Sequence, residues 1–252
     1  MRKLLLALLI LTYTISYATI PVSDSKPVSH QNWTELLGKH VNAKGMVDYK
    51  GMIADSVALN TYLDLLSANH PNEKNWSKDE RLAYWINAYN AFTVQLIIRN
   101  YPVESIKDIA GGIPFVNTPW DVKFIKIEGE TYDLNNIEHG IIRKEFNEPR
   151  IHFALVCAAV SCPKLRNEAY TAQRLDEQLE DEARYFFNNP EKNTITKDKI
   201  TVSKLLKWYW GDFSDVAEDR ISYVNKYSKT KANSDAEVDF MDYNWALNEQ
   251  SP

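Results

Sequence analysis

Glycine and cysteine are both scarce in this chain. It has eight glycines and two cysteines among 252 residues. So few glycines argue against an all-β protein rich in tight turns and against glycine-rich nucleotide loops. Neither a Walker motif nor a dinucleotide-binding fingerprint is present. The chain is nevertheless long enough to bury one or two hydrophobic cores without disulfide staples.

An excess of positive charge is also lacking. Lysine and arginine total 29 against 34 acidic residues, for a formal net charge of −5. This balance argues against nucleic acid or an anionic membrane as partner, because an acidic protein gains nothing from releasing their counterions. Seven tryptophans and fourteen tyrosines indicate a large aromatic core or a groove for a carbohydrate or peptide, and packing in a core is the commoner arrangement.

Beyond the N-terminus, the sequence has no segment apolar enough to cross a membrane. Arg2 and Lys3 precede an apolar stretch over residues 4–11, and Ser16-Tyr17-Ala18 has the small-x-small pattern of a cleavage site. We therefore predict a signal peptide over residues 1–18 and a secreted or periplasmic protein with no membrane contact after cleavage. A retained membrane anchor is the alternative, disfavoured because the apolar stretch is too short to span a bilayer. Residues 19–31 are predicted to form a flexible leader, and residues 32–250 a single domain.

Apolar periodicity in the rest of the chain indicates a mixture of helices and short strands. The clearest helix begins after Ser77, which forms a capping-box pattern with Glu80 and precedes a nearly continuous apolar run over residues 81–99. Strands are predicted over 124–127, with a return at 131–132, over the hairpin 195–202 and in the closing stretch 238–248. We predict an α+β fold in which the central buried helix packs on a mostly antiparallel sheet.

The stretch RIHFALVCAAVSC, residues 150–162, carries reactive side chains in an apolar setting. Its first eight residues predict a central strand, because both alternating faces are apolar. His152, Cys157 and Cys162 lie in this strand and the loop that follows. The segment is either a functional site or a core held by a disulfide.

Six blocks of the sequence carry a family resemblance. In order, they are LAYWINAYNAFTVQLII, PW, FIKIEGETYDLNNIEHGIIR, PRIHFALVCAAVSCPKLRNEAY, VSKLLKWYWGDF and FMDYNWALN. Together they resemble the family called domain of unknown function 547 over about residues 33–248. The resemblance implies a relationship without naming a reaction. The polar positions that match the family pattern are Asn87, Tyr89, Asn90, Glu138, His139, Arg150, His152, Cys157 and Cys162.

One hypothesis is a cysteine-dependent hydrolase or acyltransferase acting on an amide- or peptide-like substrate. Such chemistry needs a thiolate, a histidine that takes its proton and a group that orients the imidazole. The sequence offers Cys157 or Cys162 as nucleophile and His152 or His139 as base. Glu138 or an asparagine is the predicted orienting group. The predicted substrate-binding residues are Asn87, Tyr89, Asn90 and Arg150. No cofactor is assigned.

A central helix followed by a histidine-bearing strand is also broadly similar to papain-like and transglutaminase-like cores. In those folds the nucleophile opens the central helix and the histidine follows. Here both cysteines follow both histidines. Catalytic groups do recur in unrelated chain orders, so this difference weakens the hypothesis without excluding it.

Two other interpretations compete with catalysis. Cys157 and Cys162 can pair in an oxidising compartment, which would make the protein a non-catalytic envelope or binding module. Alternatively His139, His152 and the two cysteines can bind zinc, although their spacing fits no compact zinc motif.

Single residues also have simpler explanations. Asn87 and Asn90 can satisfy nearby backbone groups, His152 can be a hydrogen-bonded core histidine, and Arg150 can anchor Glu148 instead of a substrate. The aromatic run at residues 208–210 is predicted to pack inward.

Overall fold

The computed structural model describes residues 23–110 and 117–250. The predicted signal peptide and residues 19–22 of the predicted leader lie outside the described residues. The α-helices are α1 Gln31–His40, α2 Tyr49–Ala54, α3 Ser56–Ser67, α4 Lys78–Asn100, α5 Arg143–Glu145, α6 Leu175–Phe187, α7 Leu205–Trp208, α8 Trp210–Ser214 and α9 Arg220–Tyr227. A π-helix, Asn136–Ile142, leads directly into α5.

Helix α4 is the centre of the fold, as its sequence predicts. Ser77 accepts a hydrogen bond from the Glu80 amide, and the Glu80 carboxylate accepts one from the Ser77 amide, so both halves of the capping box form. The helix is buried on all sides from Leu82 to Ile97. It packs mainly against α3, the π-helix and the 3₁₀ turn Ala172–Arg174, and also against α2. The expected α+β class is confirmed, but this helix lies among other helices instead of on a broad sheet.

The strands among the described residues form two small sheets. Strands β1, Ile125–Ile127, and β2, Glu130–Tyr132, make the predicted antiparallel hairpin. Strands β3, Thr194–Ile195, and β4, Lys199–Val202, make the second predicted hairpin, and β5, Glu237–Phe240, adds to β4 in parallel. The closing stretch is therefore a strand only at its start. Beyond β5 it continues as irregular chain and returns to the main core through bridges at Leu247 and Glu249.

The predicted strand over residues 150–157 is wrong. Pro149–Phe153 forms a 3₁₀ helix that begins at Glu148, whose carboxylate accepts a hydrogen bond from the Arg150 amide. An apolar run buried on every side fits a strand or a buried helical turn equally well, so periodicity could not decide between them.

This 3₁₀ helix connects two hydrophobic clusters. Ile151 and Leu155 belong to the larger cluster around α4. Phe153 belongs to the smaller one, where its ring lies 5.0 Å from that of Phe186 on α6. The chain that carries His152 is thus held firmly from both sides.

The described part of the predicted flexible leader is anchored. The Ser25 carbonyl accepts hydrogen bonds from Asn72 and from the indole N–H of Trp76, at 3.0 and 3.1 Å. Residues 23–30 therefore pack against the loop before α4. In the part of the chain that the structure covers, no helix combines the length and apolar character needed to cross a bilayer.

Candidate functional site

One cavity of about 220 Å³ brings the predicted catalytic residues together. Glu138, His139, His152 and Cys157 all line it, although they come from the π-helix, the 3₁₀ helix and the loop beyond it. Tyr89 of α4 is also at its wall. The other lining residues are Trp120, Asn135, Leu155, Cys162, Pro163, Leu205, Trp208, Tyr209, Tyr243 and Trp245.

His152 is oriented by Asp212 of α8. Its Nε2 lies 2.7 Å from Asp212 Oδ2, and its ring stacks on Tyr209 with 4.0 Å between ring centroids. The imidazole is 3 % exposed. A histidine fixed by a carboxylate on one nitrogen can accept a proton on the other while the carboxylate stabilises the imidazolium. The histidine–carboxylate pair is therefore suited to general base chemistry.

Asp212 is held ionised by its two partners. Arg143 binds it through two hydrogen bonds, Nε to Oδ2 at 2.6 Å and Nη2 to Oδ1 at 2.7 Å. Burial alone would raise the pKa of Asp212, but the hydrogen bonds from His152 and Arg143 outweigh burial and hold that pKa well below its usual range. Asp212 therefore keeps its negative charge next to His152 throughout the neutral range.

The π-helix places Glu138 in the cavity wall and His139 beside it. Its preceding turn begins at Asp133, whose carboxylate accepts a hydrogen bond from the Asn136 amide at 2.6 Å. His139 Nδ1 lies 3.0 Å from Arg143 Nη1, so this nitrogen is the acceptor and the proton is on Nε2. Glu138 is 6 % exposed. Its negative charge, after burial itself, raises the pKa of Tyr89 and of Tyr209.

Cys157 and Cys162 form a disulfide in the cavity wall. Cys162 is 2 % exposed, whereas Cys157 is partly exposed. The Tyr243 hydroxyl lies 3.3 Å from the sulfur of Cys157 and 3.2 Å from that of Cys162. Ala158 follows Cys157 with a φ of 57°, a conformation that non-glycine residues adopt at a cost. A sharp and strained turn therefore presents Cys157 to the cavity.

The predicted substrate-binding residues divide into two groups. Tyr89 lines the cavity. The two asparagines bind backbone groups instead. Asn87 pairs with the backbone carbonyl and amide of Tyr170, and Asn90 with the Ala154 carbonyl and the Val156 amide. Both asparagines therefore satisfy backbone groups, which is the simpler of the two explanations given for them above. Asn90 nevertheless fixes the segment that immediately precedes Cys157.

Arg150 lies outside the cavity. Its guanidinium binds the Glu148 carboxylate at 2.6 Å and that of Asp176 at 2.8 Å. These contacts anchor the start of the 3₁₀ helix to α6, which matches the alternative in which Arg150 pairs with Glu148.

Trp208 departs from the inward packing predicted for residues 208–210. It is 48 % exposed and lies at the cavity wall. Its ring centroid is 4.9 Å from that of Tyr243, which in turn is 4.6 Å from that of Trp245. The aromatic run therefore contributes to the cavity instead of to the core alone.

The zinc interpretation has no support in the described ranges 23–110 and 117–250. They contain no group of three or more histidine, cysteine or acidic side chains arranged to hold a metal ion. The two cysteines, being bonded to each other, offer no thiolate ligands.

The sequence did not predict four residues of the site: Asp212, which pairs with His152, and the cavity-lining Tyr243, Trp120 and Trp245. Asp212 had one signal, an acidic residue two positions after the aromatic run at 208–210. Tyr243 had none, because only the tertiary fold brings it to the sulfurs.

The family model described as "Protein of unknown function, DUF547" matches residues 73–187. The chain contains a DUF547 domain. This confirms the family expected from the sequence blocks, over a shorter range than those blocks span. The DUF547 match includes α4, the π-helix, His152 and the disulfide, whereas Asp212 and Tyr243 lie beyond it. A search of curated proteins and a search of solved structures each found no match.

Proposed function

We propose that the cavity is the active site of a cysteine-dependent hydrolase or acyltransferase for amide- or peptide-like substrates. Cys157 is the nucleophile, His152 the base and Asp212 the group that orients His152. The observation that carries the proposal is that His152, paired with Asp212, lines the same small cavity as the partly exposed Cys157.

The residues supply each part of an acyl transfer. The reduced Cys157 thiol gives its proton to His152, and the thiolate attacks the substrate carbonyl carbon. The tetrahedral intermediate then collapses to a thioester, and the leaving amine takes the proton from the imidazolium. Water or an acceptor amine attacks the thioester and regenerates the thiol. Asp212 stabilises the imidazolium that forms in between.

The disulfide is the oxidised form of this site. A dithiol reductant that donates two electrons and two protons converts the Cys157–Cys162 bond into two thiols. Cys157 is the sulfur that such a reductant reaches, because Cys162 is almost fully buried. Reduction therefore precedes catalysis in this proposal.

Alkylation of the thiol tests the proposal without a known substrate. Cys162→Ser leaves Cys157 as the chain's only cysteine. An ordinary thiol with a pKa near 8.5 is only about 0.1 % ionised at pH 5.5, whereas a thiolate–imidazolium pair stays reactive there. We expect iodoacetamide to label Cys157 at pH 5.5 about ten-fold faster or more in this variant than in Cys162→Ser/His152→Gln.

The matched control is Cys162→Ser/His139→Gln, which removes the other histidine of the cavity. It should keep the fast labelling. Equal labelling rates with and without His152 would refute His152 as the base. So would a result in which only the His139→Gln variant loses the fast labelling. Thermal unfolding of each variant confirms that it folds.

The disulfide itself favours a second candidate, a non-catalytic binding module. In that case the cavity binds a small ligand and the bridge only fixes the loop. Ordinary thiol reactivity at pH 5.5 together with unchanged ligand binding by Cys157→Ala/Cys162→Ala would select this candidate.

We also propose that the protein acts outside the cytoplasm. The charged and apolar pattern of residues 1–18 supports export, and a disulfide persists best in an oxidising compartment. N-terminal sequencing of the exported protein should then begin at Thr19.

A further inference from the structure

Among the described residues that line the cavity, Glu138 is the one acid, and the proposed acyl transfer does not use it. It is 6 % exposed, lies at the cavity wall and is hydrogen-bonded to the neutral hydroxyls of Tyr89 and Tyr209, which leave its charge unmatched. No lysine or arginine is among the described residues that line this cavity. A carboxylate buried in such a place must be matched by charge or hydrogen bonds from its surroundings or from a ligand.

The neighbouring charges leave this carboxylate only partly balanced. Arg143 binds Asp212 through two hydrogen bonds and contacts His139, whose Nδ1 lies 3.8 Å from Glu138 Oε1. Within the group of Arg143, Asp212 and Glu138, one net negative charge remains while the histidines are neutral. Lys107, which does not line the cavity, lies at its Trp245 side. The site therefore favours a cationic ligand.

The aromatic residues of the cavity wall also favour a positively charged ligand. The Trp245 ring is tilted by 47° from that of Tyr243 and by 70° from that of Trp120, so the faces point in different directions. Rings inclined in this way can enclose a small group on several sides, while Trp208, at 26° to Trp245, extends one side of the wall. Ring faces attract ammonium groups, and the Lys107 ammonium already lies 4.4 Å from the centre of Trp245.

We infer that the cavity recognises an organic ammonium group, held between the Glu138 carboxylate and the aromatic rings. This inference rests on the proposed function and specifies its substrate: an amide- or peptide-like molecule with a free amino group near the reacting carbonyl. A cavity of about 220 Å³ suits the small amino-bearing end of such a molecule.

A pair of matched probes tests the inference. L-alaninamide carries an ammonium group beside an amide, and N-acetyl-L-alaninamide keeps the amide without the charge. We expect isothermal titration calorimetry of the oxidised wild-type protein to show about ten-fold tighter binding of L-alaninamide, since a buried charge pair is worth at least that factor. In Glu138→Gln the preference should fall to about two-fold or less.

Glu145→Gln is the control. Glu145 follows Glu138 in the same helical stretch but is absent from the cavity wall, so this variant should keep the wild-type preference. Equal binding of the two probes, or no saturable binding of either, would overturn the inference. Tighter binding of N-acetylglucosamine than of L-alaninamide would overturn it in favour of a sugar site. Because the oxidised protein is used, these outcomes are independent of the thiol-labelling test.

Discussion

At the scale of single residues, Asn87 and Asn90 show how similar contacts can serve different purposes. Both lie on α4, and each binds a backbone carbonyl and a backbone amide of a distant segment. Asn87 fixes Tyr170, which is outside the cavity. Asn90 fixes Ala154 and Val156, and thereby the position from which Cys157 enters the cavity.

We therefore expect the two alanine variants to differ in reactivity but not in stability. Each leaves two buried backbone groups unpaired, so each should lose about 3 kcal/mol in free energy of unfolding, measured with urea. In the Cys162→Ser background, only Asn90→Ala should slow the alkylation of Cys157 at pH 5.5. Equal slowing by Asn87→Ala would show that loss of stability alone accounts for the effect.

The sequence predicted individual site residues where polar groups stood out from apolar surroundings. Glu138, His139, His152 and Cys157 were found in this way, and the structure brings them to one cavity. Arg150 stood out equally, but its acidic neighbours Asp176 and Glu180 come from another helix. Asp212 was missed because its pairing with His152 arises only from packing between distant segments.

At the scale of elements, helix α4 is the part that local chemistry specifies best. Its capping box, its apolar content and its end at Tyr101-Pro102 are all visible in the sequence. The segment 150–157 is the opposite case, since its apolar run contained no signal that distinguishes a strand from a 3₁₀ helix.

The capping box gives a prediction for α4. Ser77→Ala removes the acceptor for the Glu80 amide, so the free energy of unfolding should fall by about 1 kcal/mol. Ser56→Ala is the matched control, because Ser56 opens α3 without a side-chain cap there. Urea denaturation of both variants measures the difference. An equal loss in both would mean that the box contributes nothing.

At the scale of the whole molecule, the N-terminal segment makes stability depend on pH. His30 connects this segment to α3 through a 2.7 Å hydrogen bond between its Nδ1 and the Tyr62 hydroxyl. Burial lowers the pKa of His30 to about 4 from an ordinary value of 6.5. Protonation therefore favours the unfolded chain, and the contribution of His30 to stability is complete above pH 6.5 and is lost as the pH falls towards 4.

We expect the wild type to lose more stability between pH 8 and pH 4.5 than His30→Gln does. The difference should be of order 2 kcal/mol, allowing for the part of the ring that water still reaches. Urea denaturation at the two pH values measures it, and the comparison at pH 8 separates the titration of His30 from the effect of the substitution itself. The same loss in both proteins would contradict the assignment.

The wall of the cavity is assembled from segments as far apart in sequence as Tyr89 and Trp245. A nascent chain therefore leaves the ribosome with α4 and the cysteines long before Tyr243 and Trp245 exist to close the wall. Any truncated product that stops before Tyr243 lacks these two rings, however well its helices form. Such a product would carry Cys157, His152 and Asp212 in a hollow that these aromatic rings no longer enclose.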